Sequence, residues 1–199
     1  MFIALTGLHC SGKSYFLENL PSSYEFQTFK KKDIVKKLFL DDVDKVRFDD
    51  SHSWYNYKFE SNPYEITADI MNEIYKEDNL ILDSVHSNLE WEIIKMMVPN
   101  AKLIEFVTPK KVREERWVSK YKLKDKDSSR VKYWHNPNGT SKCLISDVDW
   151  VFNGVLSNEL NLLCFEEFIS FFNNPKYKDS DIEKTDVYDR ILMVKGLKK

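Results

Sequence analysis

The chain has 199 residues, 42% of them hydrophobic, with 30 Lys and Arg against 32 Asp and Glu and a net charge of −2. That is enough apolar material to bury one sizeable core, and it argues for a single domain over residues 1–199. The near-neutral charge argues against a general nucleic-acid binder, and no apolar run approaches the roughly 20 residues that cross a bilayer.

The first element is "FIALT" (2–6), an apolar run suited to a buried parallel strand. Directly behind it stands "GLHCSGKS" (7–14), which fits the pattern G-x-x-x-x-G-K-[ST]. Only five glycines occur in the chain, and Gly7 and Gly12 fall at the two required positions. Residues 13–20 carry Tyr15, Phe16, Leu17 and Leu20 and predict a helix that stops at Pro21. Strand, glycine loop and helix in this order are the context the motif needs. A triphosphate must be surrounded by donors, and a loop without Cβ atoms at Gly7 and Gly12 can curl its N–H groups around one. His9, Cys10, Ser11, Gly12, Lys13, Ser14 and Tyr15 are therefore candidate nucleotide contacts. Lys13 would span the β- and γ-phosphates, and the Ser14 hydroxyl would ligate Mg²⁺.

Alternation continues along the chain. "YEFQTF" (24–29) reads as a short strand, followed by a helix from Asp33 through Leu40. Residues 41–62 show no clean period and read as a loop or an acceptor-side cap. "NPYEITADIMNEIYKE" opens with Asn62 as cap, Pro63 in the first helical position and Glu65 three after the cap. "NLILDS" (79–84) is a buried strand ending in Asp83. Ser87 and Glu90 form a second capping pair, and that helix ends at Pro99. "KLIEFV" (102–107) is the next strand, and a basic helix follows Thr108 and Pro109. "DWVFN" (149–153) is the last strand, and Ser157 caps a Leu- and Phe-rich helix to about Phe172. Five strands alternating with helices predict an α/β fold with a parallel sheet covered on both faces. Ligands of such sheets lie at the carboxyl ends of the strands.

Two basic stretches stand out. Residues 30–37 ("KKKDIVKK") hold five Lys against one Asp, and residues 110–132 hold ten Lys or Arg against four acids. They suit a local polyanion such as a phosphorylated small molecule, or simply solvated helix faces. Cys10, Cys143 and Cys164 fit neither a disulfide framework nor a zinc site. With the strand beginning at residue 2, the expectation is a cytoplasmic protein. Residues 175–199 are charged and receive no assignment.

On these stretches the chain resembles small P-loop kinases of the nucleoside monophosphate kinase-like group, most of all dephospho-CoA kinases and related uncharacterised kinase-like proteins. "MFIALTGLHCSGKS" is similar to their opening strand and loop. "KKDIVKK" resembles a Gly-Asp-x-x-Arg segment, with Asp33 on the aspartate, Lys32 on the glycine and Lys36 on the arginine. "NLILDSVHS" resembles a strand ending in Asp-Gly-x-Arg, with Asp83 on the aspartate and Ser84 and His86 on the other two. "AKLIEFVTPKKVREER" places Arg113 and Arg116 on an Arg-x-x-Arg helix, and "DVDWVFNG" resembles the strand before the adenine loop, with Asn153 and Gly154. Residues 41–62 and 125–146 have no counterpart.

The resemblance implies a P-loop NTPase fold with a small basic lid over 117–146. It implies ATP and Mg²⁺ as cofactors and γ-phosphate transfer to a small phosphorylated or hydroxyl-bearing acceptor. In that reading Asp83 holds Mg²⁺, Asp33 orients or deprotonates the acceptor, and Arg113 and Arg116 reach the transferring phosphate. Plainer roles stay open: Asp83 as a cap or turn residue, Asp33 as N-cap of a helix at Ile34, the arginines as solvated side chains. Lys120, Lys122, Lys124 and Arg130 are candidate lid cations, His86 is a rim residue, and Tyr133 or Trp134 could stack on a base or anchor a loop. An NTP-hydrolysing switch and a polynucleotide end kinase are the alternative functions. Oligomeric state is not legible.

Overall fold

The protein is described by a computed structural model covering residues 1–75, 79–121, 147–174 and 184–196. Along the chain run β1 (Phe2–Thr6), α1 (Lys13–Glu18), β2 (Gln27–Phe29), α2 (Lys31–Asp41), α3 (Ser51–Ser61), α4 (Pro63–Ile74) and β3 (Leu80–Leu82). Then come α5 (Asn88–Met97), β4 (Lys102–Val107), α6 (Lys110–Tyr121), β5 (Trp150–Asn153), α7 (Asn158–Asn173) and α8 (Lys184–Val194). Short 3-10 turns lie at Ser22–Tyr24 and Val43–Arg47.

The five strands form one sheet in the order β2-β3-β1-β4-β5, and every pairing is parallel. All five residues of β1 are buried, as its central place demands. Its side chains alternate between two layers. Phe2 and Ala4 enter a core with Ile66, Ile70, Met71, Leu82, Ile94 and Val187, which α2 to α5 and α8 cover. Ile3 and Leu5 face the other way, into a phenylalanine-rich core. There Phe16 of α1 lies 5.4–5.5 Å, ring centre to ring centre, from Phe106, Phe152 and Phe165. Tilted and edge-on ring contacts at this spacing pin α1 against β4, β5 and α7. That fixes the loop between β1 and α1.

Two elements differ from expectation, and the unassigned tail holds a third. Residues 41–62 are not a loop: they hold the Val43–Arg47 turn and the helix α3. An Asp50–Ser53 capping box starts α3, but only Trp54 is fully buried, so the apolar stripe is too thin to show as a period. Helix α2 begins at Lys31, two residues before Asp33, so Asp33 is not its N-cap. In the tail, α8 docks through buried Val187 and Ile191, and Lys195 pairs with Asp69 of α4 at 2.5 Å. Among the described residues no helix is long and apolar enough to cross a membrane.

Candidate active site

The loop from Gly7 to Ser14 leaves the carboxyl end of the central strand and enters α1. Gly7 has φ +127°, and a Cβ there would lie 2.5 Å from the Phe106 carbonyl oxygen. Only glycine combines that backbone with that approach. Cys10 also sits at positive φ, 57°, and burial raises its thiol pKa against the lowering pull of nearby cations. Such a thiol is a poor nucleophile at neutral pH. Helix α1 starts without a side-chain cap, so its first N–H groups are open to an anion.

Lys13 folds back into the loop. Its Nζ donates to the Gly7 carbonyl at 2.5 Å and lies 3.4 Å from that of Leu8 and 3.5 Å from Ser11 Oγ. The ammonium thus occupies the loop's concavity, held by carbonyls that phosphate oxygens could replace. Ser14 and Tyr15 are exposed beside it.

Contacts from β4, α6 and the turn after β5 set the loop's shape. Thr108, at the end of β4, is buried and donates from Oγ1 to the Ser11 carbonyl at 2.7 Å. Gly154 lies beneath the same carbonyl, where a Cβ would come within 1.9 Å of it. Arg116 of α6 donates from Nη1 to the Cys10 carbonyl at 3.2 Å and from Nη2 to the Gly154 carbonyl at 2.7 Å. Arg113, one turn earlier and buried, donates from Nε to the Thr108 carbonyl at 3.1 Å. Both arginines therefore sit at the loop, but as braces on carbonyls. Asn153 closes a turn, its Oδ1 accepting from Val155 N–H at 3.0 Å. His9 meets Trp117 of α6 edge-on at 6.2 Å. Burial and the charges of Lys13, Lys120 and Arg113 hold its imidazole pKa below the ordinary value.

On the other side of β1, Asp83 follows β3. Its Oδ1 accepts from Lys31 N–H and from the Ser84 hydroxyl, each at 2.9 Å, so it caps α2 from across the sheet. Oδ2 accepts no hydrogen bond among the described residues. Asp33, the third residue of α2, is exposed and its carboxylate has no hydrogen bond or ion pair among them. His86 belongs to the segment that crosses the end of β1, where Val85 N–H donates to the Leu5 carbonyl and Thr6 Oγ1 to that of Val85. Burial, then the positive charges of Lys31 and Lys13, push the His86 imidazole down to about 3. Among the described residues no group of three or more His, Cys, Asp and Glu could hold a metal ion unaided. Mg²⁺ at a triphosphate does not ask for one, because phosphates and water fill most of its shell. An exposed Ser14 hydroxyl and the free Asp83 Oδ2 fit such a site. Lys120 is exposed on α6; Lys122, Lys124, Arg130, Tyr133 and Trp134 lie outside the described residues.

No protein-family model matches the chain, and no curated protein matches it. Solved structures do. Shikimate kinase from Bacteroides thetaiotaomicron matches with a TM-score of 0.62 at 12% identity, over 85% of this chain and 98% of that one. A sugar kinase from Janibacter sp. matches with a TM-score of 0.55 at 12% identity, over 89% and 98%. Shikimate kinase from Aquifex aeolicus matches with a TM-score of 0.52 at 16% identity, over 86% and 99%. The fold is that of the P-loop kinases. At these identities the likeness speaks for the architecture, and the chemistry has to be argued from the residues.

Sequence reasoning gave Trp117 and Tyr55 no role, and met Thr108 only as a strand-end rim residue, Lys31 only within a basic stretch and Glu90 only as a helix-capping partner; nothing in their local spacing marks the contacts they make.

Proposed function

We propose that this chain is an ATP-dependent phosphotransferase that moves the γ-phosphate of ATP onto a small nucleoside, nucleotide or coenzyme-like acceptor. The observation that carries the reading is Lys13 folded into the concavity of a braced glycine loop, at the carboxyl rim of a kinase-fold sheet. In the nucleotide complex the loop N–H groups surround the β-phosphate, and Lys13 exchanges its carbonyl partners for β- and γ-phosphate oxygens. Arg116 and Arg113 add positive charge from α6 where charge develops during transfer. Ser14 and, through water, Asp83 would hold Mg²⁺, which supplies neutralisation of the phosphate oxygens. Asp33 orients the acceptor and takes its proton; the acceptor oxygen bonds to the γ-phosphorus as the bond to the β–γ bridging oxygen breaks, and ADP leaves.

A hydrolytic switch has no use for an acceptor-side carboxylate left unpaired on α2. The test is a screen of wild type and Lys13→Ala with ATP, Mg²⁺ and nucleosides, nucleoside monophosphates or dephospho-CoA, with phosphorylated product read by mass. Product from wild type and none from the variant supports the reading; equal turnover by both overturns it.

A further inference from the structure

One part of the carboxyl rim has no task in holding nucleotide. Lys31, the first residue of α2, is 3% exposed, and its Nζ lies 2.5 Å from Oε1 of Glu90, which is 1% exposed on α5. Glu90 also accepts, through Oε2, from the His86 backbone N–H at 2.9 Å, and its charge bears on the Tyr55 phenol of α3. The Lys31 ammonium stands 4.5 Å from the centre of the Tyr55 ring. A buried ion pair is weak ground for stability, because desolvating both charges costs about as much as their attraction yields. Apolar side chains would join α2, α3 and α5 at least as well. The place of the cluster suggests another use: it sits where α2 and α5 begin, and His86 feels the charges of both Lys31 and Lys13.

Within the cluster Lys31 and Glu90 cancel. Tyr55 stays a neutral phenol, since burial and the adjacent Glu90 push its pKa up, and His86 stays a neutral imidazole. Tyr55 and His86 are half-buried, so they are the members that a ligand can reach. A neutral phenol oxygen can accept a hydrogen bond. A neutral acceptor suits a group that has a proton to give. An alcohol has one, whereas a phosphate monoester at neutral pH needs cations, and the buried cation here is already matched by Glu90.

We propose that Tyr55 and His86, oriented from behind by the Glu90–Lys31 pair, form the acceptor subsite, and that the atom phosphorylated is an alcohol oxygen and not a phosphate oxygen. This rests on the phosphotransferase reading. The alcohol oxygen bonds to the γ-phosphorus, the bridging oxygen leaves with ADP carrying the bonding pair, and the hydroxyl proton passes to Asp33 and then to solvent. Glu90 and Lys31 are positioning residues in this scheme.

The test uses ATP, Mg²⁺ and matched probes: adenosine and AMP, cytidine and CMP, glucose and glucose 6-phosphate, and dephospho-CoA, with products read by phosphorus NMR. A new phosphate ester is expected. A new phosphoanhydride overturns the proposal and leaves the phosphotransferase standing, as does Lys13-dependent ATP binding with no ester from any probe. Failure to bind ATP at all removes the phosphotransferase itself. On the alcohol that is converted, Tyr55→Phe should raise its KM about 10-fold, the worth of one hydrogen bond, with the KM for ATP within about twofold. Glu90→Gln should show the same split more weakly; should it not fold, Tyr55→Phe still decides. An unchanged alcohol KM in Tyr55→Phe, or a parallel rise for both substrates, places the subsite elsewhere.

Discussion

Thr108 Oγ1 donates a 2.7 Å hydrogen bond to the carbonyl oxygen of Ser11, joining residues 97 positions apart at a buried spot beneath the glycine loop. The bond ties the end of β4 to the loop that leaves β1, and Arg113 holds Thr108 in turn through its carbonyl. Loop shape is thus set by a neighbouring strand as well as by its own glycines.

Thr108→Val keeps the side chain's shape and removes the donor. It leaves the Ser11 carbonyl without that partner in a buried place, a loss of roughly 1–3 kcal/mol. The expected result is a lower melting temperature and weaker ATP binding, measured by calorimetry and titration on the same samples. ATP affinity equal to wild type would show that the loop keeps its shape without the bond.

Gly154→Ala tests the same brace by overfilling it. The added Cβ would lie 1.9 Å from the Ser11 carbonyl oxygen and 2.1 Å from Thr108 Oγ1, and a backbone carbonyl cannot swing aside. Overpacking of this kind destabilises by about 1–3 kcal/mol. Here the displaced part is the loop itself, so nucleotide affinity should fall along with stability. A stable variant with normal ATP affinity contradicts this.

Asp33→Asn separates transfer from binding. The helix starts at Lys31, so a capping role for Asp33 predicts nothing here. Asparagine keeps the shape and loses the base, so acceptor turnover should drop by about 10²–10⁴ while ATP affinity stays near wild type. Turnover within a few-fold of wild type assigns the proton to another group.

The pH dependence of stability should carry the mark of His86. Its imidazole is held down to about 3 in the fold, against an ordinary 6.5 in the unfolded chain. The unfolded chain therefore takes up a proton first as pH falls. Stability from this group is fully present above pH 6.5 and is lost progressively from there toward 3, at a slope approaching about 1.4 kcal/mol per pH unit. His86→Gln should flatten that limb in a urea-unfolding series between pH 7 and pH 4. An identical slope in variant and wild type rules out an imidazole held neutral by the fold.

The loop, the alternation of strands and helices, and most helix starts were legible because each rests on local rules. A glycine loop needs particular residues at particular spacings, and Asn62, Ser87 and Ser157 cap helices that begin where they stand. The helix α3 was not legible, because its only fully buried side chain, Trp54, leaves no stripe. The tail helix α8 has meaning only against α4 and α5, through Val187 and Ile191.

By itself the sequence determined that this chain carries a glycine loop of the G-x-x-x-x-G-K-[ST] pattern on a parallel α/β frame, since the spacing from Gly7 to Ser14 and the apolar runs are properties of neighbours in the chain. Only the tertiary structure decided which of the lysines 30–32 is buried, that Asp83 caps α2 across the sheet, and that Arg113 and Arg116 brace carbonyls. Lys31 sits among three identical letters, and what sets it apart is a glutamate 59 residues away on α5. Burial and ion pairing are made by chain segments that meet only after folding, so residue type and local spacing carry no trace of them.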